Sequence, residues 1–177
     1  MKDQSGPPFL PDAKTLSYEP EAVINSGDLL AWSYDGLKGY YRYLNQFIQL
    51  VTMSSYSHVG IAVIIEGEIL VLEATQPMIQ MTPIKKKGHF YFIPMHAPNA
   101  NKLSELIHLY IGKRYSVWDC IRAYFGWTVT DNNRYQCAEL CTEVYEHLGL
   151  NIKPDRITPQ GLVRAALIKT KSGLFYF

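Results

Sequence analysis

Long apolar runs, an excess of either charge and an even set of cysteines are all missing from this chain of 177 residues. No stretch offers the roughly 18 uninterrupted apolar residues that cross a bilayer. The opening Met1-Lys2-Asp3-Gln4-Ser5-Gly6-Pro7-Pro8 lacks the apolar centre of a signal peptide. A soluble, cytoplasmic protein without integral membrane association is therefore expected. Basic and acidic residues nearly cancel, 17 against 16, so no broad field draws nucleic acid, and a nucleic-acid partner is not expected. Three cysteines, Cys120, Cys137 and Cys141, are too few and of the wrong parity for a disulfide framework, which leaves at least one free thiol. What is present, 47% apolar residues with 13% aromatics, suffices for the core of one domain.

Residues 1–25 carry proline and polar residues without periodicity and read as an arm, wrapped on the surface or partly disordered; residues 26–177 read as a single domain. Ser26-Gly27 punctuates the chain before a first strand at Asp28-Leu29-Leu30-Ala31-Trp32. Residues 40–53 follow with the three-and-four spacing of an amphipathic helix. Two apolar runs, from Val59 to Ile65 and from Ile69 to Thr75, flank Glu66-Gly67-Glu68 and predict a hairpin covered on both faces. A third strand is expected at Phe90-Tyr91-Phe92-Ile93, after the basic loop Lys85-Lys86-Lys87-Gly88. Helices are expected near residues 101–111, 117–125, 136–148 and 158–167. Helices on one side of a small, mostly antiparallel sheet make an α+β domain.

In the helix expected at 136–148, Cys137, Cys141, Val144 and Leu148 recur at four, three and four residues and form one inward stripe. Asp131, Asn132 and Asn133 offer N-caps, and Gly149 with Pro154 ends the helix. Cys137 thus falls in the first turn, where the helix N-terminus favours the thiolate and its N–H groups can hold an oxyanion. Cys141, one turn deeper, reads as a small buried hydrophobe.

A cysteine nucleophile needs a base within reach, and of five histidines His58 is the best placed. His147 is roughly 15 Å along the same helix from Cys137. His108 lies inside another helix, and His89 and His96 flank a strand without patterned partners. His58 opens the buried strand of Ser57-His58-Val59-Gly60. If Glu66-Gly67 is a two-residue turn, opposite positions sum to 133, Gly60 faces Glu73, and Glu73 becomes the diagonal neighbour of His58 on one face. Gly60 would then leave the carboxylate room. A turn one residue longer sends Glu73 to the other face and leaves Thr75 or Gln76 as orienter.

Gly27-Asp28-Leu29-Leu30, Ser57-His58-Val59-Gly60-Ile61 with Glu73, and Tyr135-Gln136-Cys137-Ala138-Glu139-Leu140 on a late helix resemble the circularly permuted NlpC/P60 proteins. These proteins include the YiiX-like and lecithin:retinol acyltransferase-like branches. There the histidine strand precedes the cysteine helix, as it does here. The resemblance spans about residues 26 to 150. It implies a permuted papain-like fold, Cys137 as nucleophile, His58 as base, Glu73 as third member, and a structural role for Gly27 and Asp28. Ala138 stands where many relatives carry serine, and a backbone N–H there would still serve an oxyanion.

The expected function is a cysteine hydrolase that cleaves an amide or peptide bond through an acyl-enzyme, with a peptide, a peptidoglycan peptide or an acyl compound as substrate and no cofactor. Two rivals use the same fold: a lipid acyltransferase or deacylase with the same triad, and a non-catalytic binding module. The aromatic helix at 40–53, with Tyr124, Phe125 and Trp127, reads as core, and the run Lys85 to Lys87 as a solvated loop. Metal ligation by Cys137, Cys141 and His147 matches no usual zinc spacing, so no metal site is expected.

Overall fold

The computed structural model of the chain describes residues 14–15, 20, 23–33, 55–97, 99–116 and 133–177. The expected helices at 40–53 and 117–125, Cys120, Tyr124, Phe125, Trp127, Asp131 and Asn132 lie outside them.

The hairpin is the centre of the fold. Strands β3 (His58–Ile65) and β4 (Glu68–Ala74) are joined by Glu66 and Gly67, whose φ values of 51° and 82° are those of a two-residue turn that suits strand twist. The register runs from Ile65 opposite Glu68 to Ile61 opposite Leu72, so opposite positions sum to 133 as the turn chemistry requires. On one side of the hairpin lies β2 (Leu29–Trp32), with Trp32 opposite His58; on the other lies β5 (Ile79–Pro83). Strand β6 (Tyr91–Ile93) extends the sheet beyond β2. The edge is completed by β9 (Phe175–Tyr176) and β1 (Lys14–Thr15), the latter paired parallel to β9. The seven strands run in the order β1-β9-β6-β2-β3-β4-β5.

Alternation along the strands separates two cores. Leu29, Ala31, Val59, Ile61, Val63, Leu72 and Ala74 face the helices α1 (Ala100–Tyr110), α2 (Cys137–His147) and α3 (Pro159–Thr170). Leu30, Trp32, Ala62, Ile69, Val71 and Phe92 face the other way, under Ile84 and Phe90. The three described helices thus lie on one side, in an α+β domain. Cover on both faces holds for the inner hairpin only, since Ile64 and Ile65 near its turn are exposed.

Five strands have no counterpart in the sequence pattern. β5 is a five-residue edge strand ending in proline, and β1 and β9 are two residues each, too short for any period to register. The arm is tied down at two described points: Lys14–Thr15 join the sheet, and Ile24 is buried in the smaller core. A second, two-stranded ribbon pairs β7 (Arg114–Tyr115) with β8 (Arg134–Tyr135), parallel.

Candidate active site

His58 is the first residue of β3 and Glu73 the penultimate residue of β4, so both stand at one end of the sheet. Side chains on the same face of adjacent antiparallel strands meet diagonally. Here His58 Nε2 lies 2.5 Å from Glu73 Oε2. Glu73 is completely buried, which a carboxylate tolerates only with charged or hydrogen-bonded partners. Its second partner is Lys87, whose Nζ is 2.6 Å from Oε2 and 2.5 Å from Oε1. Burial alone pushes this carboxyl up, but the bonds from His58 and then Lys87 outweigh it and hold the group at about 2. Trp32, opposite His58 in the ladder, backs the cluster: its ring centroid is 5.6 Å from the imidazole and 5.7 Å from the Lys87 ammonium.

Lys87 corrects the reading of residues 85–87 as a solvated loop. The loop runs through a short 3₁₀ turn, Ile84–Lys86, that buries Ile84 and swings Lys87 back over the sheet. Gly60 also plays a different part from the one expected. A β-carbon there would lie 2.5 Å from Val71 Cγ1 and 3.1 Å from the Leu72 carbonyl oxygen, against 3.5 Å from Glu73 Cβ. The glycine spares Val71 first, the Leu72 carbonyl second and Glu73 only third.

Cys137 opens α2 and is buried, as are Cys141, Val144 and Leu148 along the same stripe. The cap is Gln136 and not the residues upstream. Arg134 and Tyr135 are drawn into the ladder with β7, so Asn133 is cut off from the helix and adopts φ 55°. Gln136 accepts the Ala138 N–H on its Oε1 at 3.3 Å, its own N–H goes to Glu139 Oε2 at 3.2 Å, and its Nε2 donates to the Ile157 carbonyl. The Ala138 N–H offered to an oxyanion by sequence reasoning is therefore already engaged. The Cys137 sulfur lies 4.0 Å from Gln136 Oε1.

A chain of backbone contacts brings the start of α2 to the histidine end of the sheet. Tyr135 pairs with Tyr115, and the Tyr115 N–H donates to Pro77, in the turn just after β4. On the other flank, Gln160 of α3 accepts the Ser55 N–H, three residues before His58. The thiol and the His58–Glu73 pair do not share a face, however. Cys137 belongs to the helix-side core, whereas His58 and Glu73 project on the side of Trp32 and Val71. Cys141 bridges the two electrostatically: burial first, then Cys137 and Glu73, push its thiol well above the ordinary value. That keeps Cys141 protonated and inert. The other four histidines, His89, His96, His108 and His147, are exposed; His89, two residues beyond Lys87, turns to the Phe177 carbonyl and His147 to that of Glu143.

Gly27 and Asp28 are structural. The Asp28 carboxylate accepts the N–H groups of Asn25 and Met95, each at 2.9 Å, and burial outweighs these bonds to raise its pKa. Gly27 has φ 96° and receives the buried Tyr145 hydroxyl on its carbonyl at 3.0 Å, which ties β2 to α2.

Neither a family model nor a curated protein matches the chain. Among solved structures, the crystal structure of the metalloprotein YiiX from Escherichia coli O157:H7 matches with a TM-score of 0.54 and 25% sequence identity, over 80% of this chain and 79% of that one. The likeness to the YiiX-like branch of the permuted NlpC/P60 proteins, read from short motifs, extends to the α+β fold over that 80% of the chain.

Proposed function

We propose, for a chain that shares the fold of YiiX, that it is a cysteine hydrolase acting on an amide or peptide bond. Cys137 is the nucleophile, His58 the base and Glu73 the group that orients the base. With Nε2–H donated to Glu73, the neutral imidazole keeps its lone pair on Nδ1, which takes the Cys137 proton. The thiolate adds to the carbonyl, and the tetrahedral adduct expels the amine as His58 returns the proton to it. Water, activated by the same nitrogen, then attacks the thioester and frees the acid and the thiol. The observation that carries the reading is the buried Glu73 carboxylate bonded to the His58 ring at the sheet end that α2 approaches with Cys137.

YiiX is described as a metalloprotein. The residues here do not fit a metal at this carboxylate. The Lys87 ammonium lies on both Glu73 oxygens, where a cation would bind, and among the described residues no three His, Cys, Asp or Glu side chains converge. No step is assigned to a metal.

Iodoacetamide labelling read by mass spectrometry between pH 5 and 8 tests the assignment. Cys137 is expected to react ahead of Cys141, and His58→Gln to slow it about a hundredfold near neutral pH. Equal labelling of the two thiols, unchanged by His58→Gln, would show that no such pair operates.

A further inference from the structure

Beside the start of α2 the surface carries a groove of about 540 Å³ lined by Ile111, Gly112, Lys113, Arg114, Asn133 and Arg134. Three of its six residues are cations and none is acidic. The arrangement is imposed by the backbone. Arg114 and Arg134 are paired in register in the parallel β7–β8 ladder, and opposite residues of a ladder project on one face. Cations placed so concentrate positive potential on one side of the groove, where a bound anion would meet it.

The groove is held on the side of β5. Ile79 of β5 donates its N–H to the Lys113 carbonyl and accepts the Gly112 N–H, and Met78 bridges to Arg114. Lys113 is steadied by aromatic rings and by no carboxylate in the groove. Its Nζ is 4.5 Å from the Tyr110 ring centroid, 5.1 Å from that of Tyr135 and 3.4 Å from the Tyr135 hydroxyl. Its charge is thus positioned without being neutralised. Among the described residues Arg114 has no ion pair.

We infer that Lys113, Arg114 and Arg134 form a binding subsite for a phosphoryl group. Two guanidinium forks and an ammonium match the three oxygens and up to two negative charges of a phosphate, where a carboxylate would occupy one fork. Arg134 is three residues before Cys137, at most about 11 Å of extended chain. A phosphoryl group in the groove therefore places its carrier beside the thiol. That the carrier is the substrate rests on the hydrolase reading; the binding of phosphate does not.

Calorimetric titration of the full chain with inorganic phosphate, against chloride at matched low ionic strength, is expected to show saturable binding. Arg114→Gln and Arg134→Gln should each weaken it about tenfold. Cys137→Ala should leave it unchanged, so a failure of the nucleophile assignment stays separate from a failure of the subsite. Phosphate that binds no better than chloride, or equally well to the double arginine variant, overturns the inference. Vesicles of phosphatidic acid then identify the source: sedimentation with them that the double variant loses marks a lipid headgroup. Phosphate binding without sedimentation marks a water-soluble phosphoryl compound.

Discussion

Replacing Lys87 by methionine keeps the side-chain stem over Trp32 and deletes only the charge that rests on both Glu73 oxygens. Glu73 is fully buried, and its descent from an ordinary carboxylate value of about 4.3 to about 2 corresponds to about 3 kcal/mol of stability at neutral pH. His58 is the larger contributor to that descent and remains, so the variant should lose about 1–2 kcal/mol at pH 7. Urea denaturation would read this directly, and the melting temperature should fall by about 3–6 °C.

The pH dependence gives a sharper test. In the parent, the Glu73 contribution is complete above the ordinary carboxylate range and disappears as pH falls through about 2. The variant has less of it to lose there. Equal stability of Lys87→Met and parent at pH 7, with superimposable pH profiles from 8 to 2, would refute the claim that Lys87 neutralises Glu73.

Two further substitutions probe the frame around the site. Gly60→Ala forces a methyl against the stiff Val71 side chain at 2.5 Å, and denaturant titration should show a loss of about 1–3 kcal/mol. Asp28→Ala removes the acceptor of the buried Met95 N–H as well as that of Asn25, and the same measurement should show about 2–3 kcal/mol, with Asp28→Asn recovering part of it.

The hairpin was the most legible part of the chain. Gly67 supplies the positive φ that a tight turn needs, and once the two-residue turn forms, with Glu66 also at positive φ, it sets which residues share a face. The His58–Glu73 contact follows from that arithmetic alone. Lys87 was opaque for the opposite reason: its return over the sheet depends on Ile84 being buried by a short 3₁₀ turn, and nothing in three consecutive lysines signals which one goes inward. The helix carrying Cys137 was legible in its inward stripe, but its cap was not. Asn133 is the better capping residue by type, yet the long-range pairing of β8 with β7 overrides local preference and passes the role to Gln136. The likeness to YiiX was readable from three short motifs because those motifs sit where the backbone is most constrained, at a strand start, a tight turn and a helix start.

The edge order β1-β9-β6 has a consequence for how the molecule assembles. Phe175 and Phe177 stack on Phe92 and Phe90, and the backbone groups of Phe177 and Phe90 bond to each other in both directions. Lys14 finds its partner 161 positions later, at Phe175. Pairing across such separations is entropically slow, so this flank closes late, after residues near 175 have left the ribosome. Until then β6 presents an open, phenylalanine-bearing edge, the kind of surface on which chains add to one another. A mutation that loosens the last strand would therefore show itself as aggregation during synthesis before it showed itself as lost activity.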